Sequence, residues 1–237
     1  MKINDFFQSV FITGANRGMG LGYVVHYLKK NFSVIATAKN PDSAGELLRL
    51  KKEYPDQLSV LELDVSCEAS ILSLVDQLQS MGVTFLLAIN NAGISLEEEF
   101  GKWTKATFEA HFRVNTIGPA LISQALLPFL EKGAKLIQIS SGLGSLGQGS
   151  NLNNNLSAYA ASKCALHSIT VHLAEKLRTK NIMVFVINPG WVKTKMGGDE
   201  APTTIDEAIG NITGTIERLT FEQTGSFLSE KGEPILW

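Results

Sequence analysis

Short, mostly apolar runs rich in Val, Ile and Phe recur along the chain, separated by longer stretches whose apolar residues follow helical spacing. The runs are S-V-F-I-T (9–13), S-V-I-A-T (33–37), L-S-V-L-E-L (58–63), F-L-L-A-I-N (85–90), K-L-I-Q-I-S (135–140) and M-V-F-V-I-N (183–188). Because they are continuously apolar rather than alternating, they match parallel strands covered by helices on both faces. The stretches near 20–30, 43–53, 68–81, 104–131, 157–180 and 204–219 are each long enough to be a right-handed crossover. The pattern predicts an α/β fold on a doubly wound parallel sheet, with a shorter last strand near 225–229. Strands and crossovers fill the chain without a linker, so residues 1–237 are expected to form one domain.

Composition acts mainly by exclusion. With 44% hydrophobic and 19% charged residues the chain can bury a core and is neither disordered nor a disulfide-stapled miniprotein. A formal charge of −2 and no basic block longer than two residues point away from nucleic acid and anionic membranes. Cys67 and Cys164 are the only cysteines, which fits a reducing compartment. The N-terminal segment carries Asp5 and lacks the apolar core of a signal peptide. No stretch approaches the roughly 18 uncharged apolar residues of a spanning helix, so a cytoplasmic protein is expected. His26, His111, His167 and His172 fall on predicted helices, and the five-residue interval between the last two suits no helical metal pair. No metal is expected, and the run Glu97–Glu99 reads as a solvated turn.

Candidate chemistry gathers after the strands, where ligands bind in open parallel sheets. After the first strand comes T-G-A-N-R-G-M-G, with Gly14, Gly18 and Gly20 spaced G-x-x-x-G-x-G. Such a turn lets backbone amides and a helix N-terminus approach a pyrophosphate. Its spacing is that of neither the usual dinucleotide fingerprint nor a P-loop. Tyr159 and Lys163, four apart at a helix start, share a face. An ammonium beside a phenol favours the phenolate, which fits the Tyr for proton exchange with a carbonyl or alcohol oxygen. Ser140 and Ser141 end the fifth strand, and alternation lets only one of them face the cleft.

T-G-A-N-R-G-M-G, L-D-V (63–65), N-N-A-G (90–93), N-T (115–116), I-S-S (139–141), Y-A-A-S-K (159–163) and N-P-G-W-V-K-T (188–194) stand in the order and spacing of the short-chain dehydrogenase/reductases. The resemblance spans nearly the whole chain. M-G-G (196–198) and the ending G-S-F-L…G-E-P-I-L-W resemble the carbonyl-reductase branch that includes sniffer and the bacterial C-factor proteins. The resemblance implies a Rossmann-type sheet of order 3-2-1-4-5-6-7. It also implies a catalytic tetrad: Tyr159 as general acid, Lys163 lowering its pKa and binding the nicotinamide ribose, Ser141 orienting the carbonyl oxygen, and Asn115 holding a water that links Lys163 to solvent. Gly14, Asn16, Arg17, Gly18, Met19 and Gly20 would form the cofactor turn, and Asp64 with Val65 would meet the adenine. The Asn91-Ala92-Gly93 backbone would pass the adenosine ribose. Pro189, Gly190, Val192 and Thr194 would hold the carboxamide, while Asn90 would stabilise the central strands.

Cofactor choice has a local argument. An NAD site wants a carboxylate at the end of the second strand, whereas a 2′-phosphate wants cations. The chain reads A-T-A-K-N-P there, with Ala38 in the acid's place, Lys39 beside it, and Arg17 able to approach from the glycine loop. NADP(H) is therefore expected in preference to NAD(H). The interval from Ser141 to Tyr159 is long for the family, so the Asn-rich segment 142–157 reads as a loop bearing a small insertion. Residues 195–204 form a short substrate loop, with Trp191 and Met196 as candidate pocket or core residues. Surplus apolar residues on the helices at 104–131 and 157–180 suggest a homodimer. The reading is an NADPH-dependent oxidoreductase of carbonyl-reductase type acting on a small ketone, aldehyde or alcohol. The alternative is a regulatory protein that binds NADP(H) with little turnover.

Overall fold

The computed structural model describes residues 9–148 and 154–237. The strands are β1 (Ser9–Ile12), β2 (Ser33–Ala38), β3 (Leu58–Glu62), β4 (Phe85–Asn90), β5 (Leu130–Ile139), β6 (Met183–Ile187) and β7 (Phe227–Leu228). The helices are α1 (Gly18–Lys29), α2 (Gly45–Glu53), α3 (Glu68–Met81), α4 (Lys105–Phe112), α5 (Gly118–Leu126), α6 (Ser157–Arg178) and α7 (Ile205–Arg218). All seven strands pair in parallel in the order β3-β2-β1-β4-β5-β6-β7, the doubly wound arrangement expected from the sequence.

The continuously apolar strands are explained by cover on both faces. Val10, Ile12, Ile89, Phe185 and Ile187 pack on one side against α1 and α7, through Val24, Leu28, Ile212 and Ile216. Phe11, Ala88, Leu136 and Val184 face the other side and meet Leu74, Leu78, Ile122, Leu126 and Leu177 from α3, α5 and α6. Neighbouring strand residues point to opposite faces, so both must be apolar.

Two boundaries differ from the sequence reading. The helix expected over 104–131 is α4 and α5 joined by a wide π turn at Arg113–Ile117, and it ends early. Pro119 has no N–H to return to the carbonyl of Asn115, four residues back, so the regular ladder cannot continue there. Pro128 then closes α5, and β5 starts at Leu130 instead of 135. Its pairing with β4 shifts register between Phe85 and Leu87. Two sequence expectations fall partly outside the described residues: the N-terminal segment before Ser9, and positions 149–153 of the Asn-rich loop.

Candidate active site

The loops after β1, β4, β5 and β6 converge at the carboxyl ends of the central strands. Gly14 has φ +63°, and a Cβ there would stand 2.9 Å from Cα of Ala92. A Cβ on Gly20 would meet the Gly14 carbonyl and come 2.7 Å from Nδ2 of Asn91. The turn is therefore closed against the N-N-A-G segment by backbone contact. Thr13 Oγ1 accepts from the amides of Asn91 and Ala92, both at 3.0 Å. In return Asn91 Nδ2 donates to the carbonyls of Thr13 (2.9 Å) and Gly14 (3.2 Å). Asn91 thus acts through its side chain as well as its backbone. Arg17 precedes α1 in extended conformation, and neither a side-chain cap nor an acid occupies the first turn. Glycine-lined backbone and the amino end of α1 together fit a dinucleotide pyrophosphate. Asn16 and Arg17 are exposed on this turn, and Met19 is half-buried behind it.

Lys39, just past β2, pairs with Asp64 at 2.5 Å. The hydrogen bond from Lys39 holds the amine above its ordinary value. Burial works upward on Asp64, but bonds from Lys39 and Ser66 outweigh it and hold the carboxyl below its usual range. Asp64 Oδ1 also accepts from the amide and hydroxyl of Ser66, the turn that leads into α3. Val65 packs behind, its carbonyl 2.7 Å from where a Gly118 Cβ would stand.

The reactive groups lie between β4, β5 and α6. Strand parity separates the two serines: Ser140 turns inward, and the Ser141 hydroxyl faces the Tyr159 phenol, whose pKa it pulls down. Lys163 is 4% exposed, donates to the carbonyl of Ile139 at 2.9 Å, and lies 5.8 Å from the Tyr159 ring centroid. Burial pulls Lys163 down to about 8. Burial also pushes the Tyr159 phenol up, against the smaller opposite pull of Ser141. The expected lowering of the phenol by Lys163 is therefore not found in this structure, because desolvation dominates and the ammonium points at Ile139.

Asn115, fully buried in the π turn, grips the neighbouring loop. It accepts from Ile94 N and donates to Ile94 O, both at 2.9 Å, and donates to Ser162 Oγ at 3.0 Å. Ser162 in turn donates to the Tyr159 carbonyl at 2.6 Å. A Cβ on Gly93 would sit 3.3 Å from Asn115 Oδ1 and 3.7 Å from Lys163 Nζ, so the glycine lines the space beside the buried amine. Asn90 donates to Ser123 Oγ at 3.2 Å and ties β4 to α5.

After β6, Gly190 adopts φ +76° and donates to Asn188 Oδ1 at 3.2 Å. Val192 is buried and bridges to Thr203. Thr194 accepts from Gly197 N at 3.0 Å, and its methyl stands 3.6 Å from a Cβ on Gly18, which brings this loop over the glycine turn. Trp191 and Met196 are exposed at 56% and 53%, which excludes core packing for both.

Sequence reasoning missed His111. It is fully buried, accepts from Leu96 N at 3.0 Å, and packs edge-on to Tyr159 with ring centroids 6.2 Å apart. Thr13 and Ser162 stand within the quoted motifs T-G-A-N-R-G-M-G and Y-A-A-S-K but were given no role of their own. Among the described residues no group of three or more His, Cys, Asp or Glu could hold a metal, and no helix is long and apolar enough to cross a membrane.

A parallel doubly wound sheet with a glycine cradle and a Ser-Tyr-Lys cluster on the same rim defines a dinucleotide-binding oxidoreductase. The short chain dehydrogenase family profile matches residues 8–204. The chain belongs to the short-chain dehydrogenase/reductase family. It is 31% identical to the short chain dehydrogenase gsfK of Penicillium aethiopicum, over 97% of this chain and 99% of that one. The NADPH-bound carbonyl reductase from chicken fatty liver superposes with a TM-score of 0.89 at 35% identity, over 97% and 99% of the two chains. The carbonyl reductase Sniffer of D. melanogaster gives a TM-score of 0.91 at 31% identity, over 98% and 100%.

Proposed function

We propose that this protein is an NADPH-dependent carbonyl reductase working as one domain over residues 1–237. The observation that carries the reading is the gathering of Ser141, Tyr159 and buried Lys163 at one strand end, with Ser141 acting on the Tyr159 phenol and Lys163 bonded to Ile139, beside the glycine turn. When bound, the nicotinamide supplies a hydride to the carbonyl carbon.

The remaining work falls to the chain's own groups. Tyr159, kept protonated, gives its proton to the substrate oxygen, and Ser141 holds that oxygen against the phenol. Lys163 binds the ribose hydroxyls and resupplies the proton. Asn115, buried in the π turn, holds the water that links Lys163 to solvent. Gly14, Asn16, Arg17, Gly18, Met19 and Gly20 cradle the pyrophosphate, and Asp64, Val65 and Asn91–Gly93 take the adenosine. Pro189, Gly190, Val192 and Thr194 take the carboxamide. The same groups serve alcohol oxidation in reverse.

The choice of NADP(H) over NAD(H) is supported by Ala38 at the end of β2, where no carboxylate meets the ribose, by cationic Lys39 and Arg17 nearby, and by the NADPH held in the chicken enzyme. A homodimer through the segments at 104–131 and 157–180 is supported by the exposed apolar Ile117 and Val171 that they carry, and two free cysteines favour the cytoplasm. The deciding experiment follows NADPH consumption with a panel of aldehydes, diketones and quinones. Turnover lost in Tyr159→Phe is expected. Binding of NADPH with no consumption on any substrate overturns the reading and leaves a cofactor-dependent regulator.

A further inference from the structure

Ser140 is 3% exposed, and its Oγ lies 2.7 Å from Nε2 of His167. His167 follows Lys163 by one turn on α6 and is equally buried. Its Cε1 stands 2.7 Å from where a Gly144 Cβ would be, so the short turn Gly142–Gly144, which Ser141 caps, rests on the imidazole. Rings of Phe227 and Trp237 pack on His167, with centroids at 4.3 and 5.5 Å. The segment carrying Trp237 also reaches over the same loop: Ser145 Oγ donates to the Leu236 carbonyl, and Gly147 N to the Trp237 carbonyl at 2.6 Å. Residues 142–147 are thus held from below by α6 and from above by residues 236–237. Burial, helped by the Lys163 ammonium, holds His167 down to about 4, so the ring is neutral at physiological pH and acts by shape and hydrogen bonding.

We propose that His167 is a positioning residue: through its bond to Ser140 and its fit beneath Gly144 it fixes the end of β5 and aims the Ser141 hydroxyl at Tyr159. The catalytic consequence rests on the carbonyl-reductase reading, whereas the holding of the turn does not. Parity explains why the two serines are adjacent. One side chain can be anchored inside only if the next projects into the cleft.

The test separates hydrogen bonding from ring packing. His167→Phe keeps a ring against Phe227 but leaves Ser140 without a partner, whereas His167→Gln places an amide near the Nε2 position. In His167→Phe, amide exchange at Gly144 and Ser145 should rise about 10-fold, as expected for one lost hydrogen bond, with β1 unchanged. The same variant should lose about 10- to 100-fold in kcat, the scale of a sub-ångström misplacement, with NADPH affinity unchanged. His167→Gln should restore both to within about 3-fold. Ser140→Ala should match His167→Phe, the double variant should fall no further, and Ser140→Ala carries the test alone if His167→Phe does not fold. Wild-type exchange in His167→Phe, or equal damage in the Gln and Phe variants, overturns the proposal. If the wild-type protein consumes no NADPH with any carbonyl, the functional reading fails while the exchange measurement still decides the role of His167.

Discussion

Lys163 donates its ammonium to the main-chain carbonyl of Ile139, not to the phenol of Tyr159, whose ring lies 5.8 Å away. The amine is thereby tied to the strand end that carries Ser141. With burial raising Tyr159 and lowering Lys163, the free protein holds a neutral phenol, the form a carbonyl reduction requires. Tyr159→Phe should lower kcat by about 10³-fold, within the range of a lost general acid, and leave NADPH affinity within about 2-fold. Parallel kinetics and cofactor titration check this, and near wild-type turnover would remove Tyr159 from its assigned role.

Acid should find His167. Its folded value of about 4 lies below the ordinary 6.5, so between these limits the unfolded chain takes up a proton that the native state resists. This contribution is intact above pH 6.5 and disappears as pH falls toward 4, amounting to about 3 kcal/mol in all. Burial lowers His26 too and adds in the same direction. Urea unfolding at pH 7 and pH 4.5 should show a smaller acid loss in His167→Gln than in the wild type. An unchanged pH slope would contradict the depressed value.

The succession of strands and crossovers was legible because its signals are local, whereas the sheet order and the roles of the candidate site residues came through the family resemblance. Tyr159 and Lys163 share one helix face, and strand parity lets only one of Ser140 and Ser141, at the end of the fifth strand, face the cleft. What stayed hidden depends on partners distant in sequence. Nothing in the local pattern shows that His111 reaches Leu96 or that His167 meets Ser140. The π turn was missed because Pro119 interrupts an apolar pattern that otherwise reads as one helix. The pairing of Lys39 with Asp64 depends on β2 and β3 ending side by side, which no single segment states.

Asn115 makes three side-chain bonds while fully buried, so its loss leaves the Ile94 amide and carbonyl and the Ser162 hydroxyl short of partners. Each orphaned buried group costs about 1–3 kcal/mol. Asn115→Ala should therefore lower the unfolding free energy by about 3 kcal/mol and reduce kcat, because Ser162 also anchors the Tyr159 backbone. Denaturant melts check the first expectation. A variant with full stability would show that the π turn does not depend on this side chain.

Gly14 and Gly20 both probe the cofactor cradle, and neither has room for a Cβ. Alanine at Gly14 meets both a left-handed φ and the Ala92 backbone, so it disturbs the fold as well as the site. At Gly20 the conflict is with the Gly14 carbonyl and Asn91, within the cradle itself. Gly20→Ala should weaken NADPH binding by at least about 10-fold, the effect of losing one good polar contact, and should also lower Tm, because its Cβ would overlap the Gly14 carbonyl and stand 2.9 Å from Cα of Ala15. Titration of cofactor fluorescence measures it, and undiminished affinity would place the pyrophosphate elsewhere.

The Lys39–Asp64 pair, its lysine exposed and its aspartate half-buried, sets the expectation for cofactor choice. A 2′-phosphate offers Lys39 a stronger anion than the carboxylate it already holds, so NADPH can draw the amine from Asp64, whereas NADH gives it no reason to move. Lys39→Ala should then raise KM for NADPH about 10-fold, leave KM for NADH nearly unchanged, and flatten the salt dependence of the NADPH value. Ala38→Asp should shift preference toward NADH, but it is the less clean probe, because Ala38 is 1% exposed and a carboxylate there is also desolvated. Asp64→Asn separates the two functions of the pair: it frees Lys39 for phosphate while keeping an oxygen for the Ser66 turn. It should therefore raise the NADPH/NADH ratio of kcat/KM. A fall in that ratio would mean that Asp64 positions Lys39 for the phosphate, not that it competes for it.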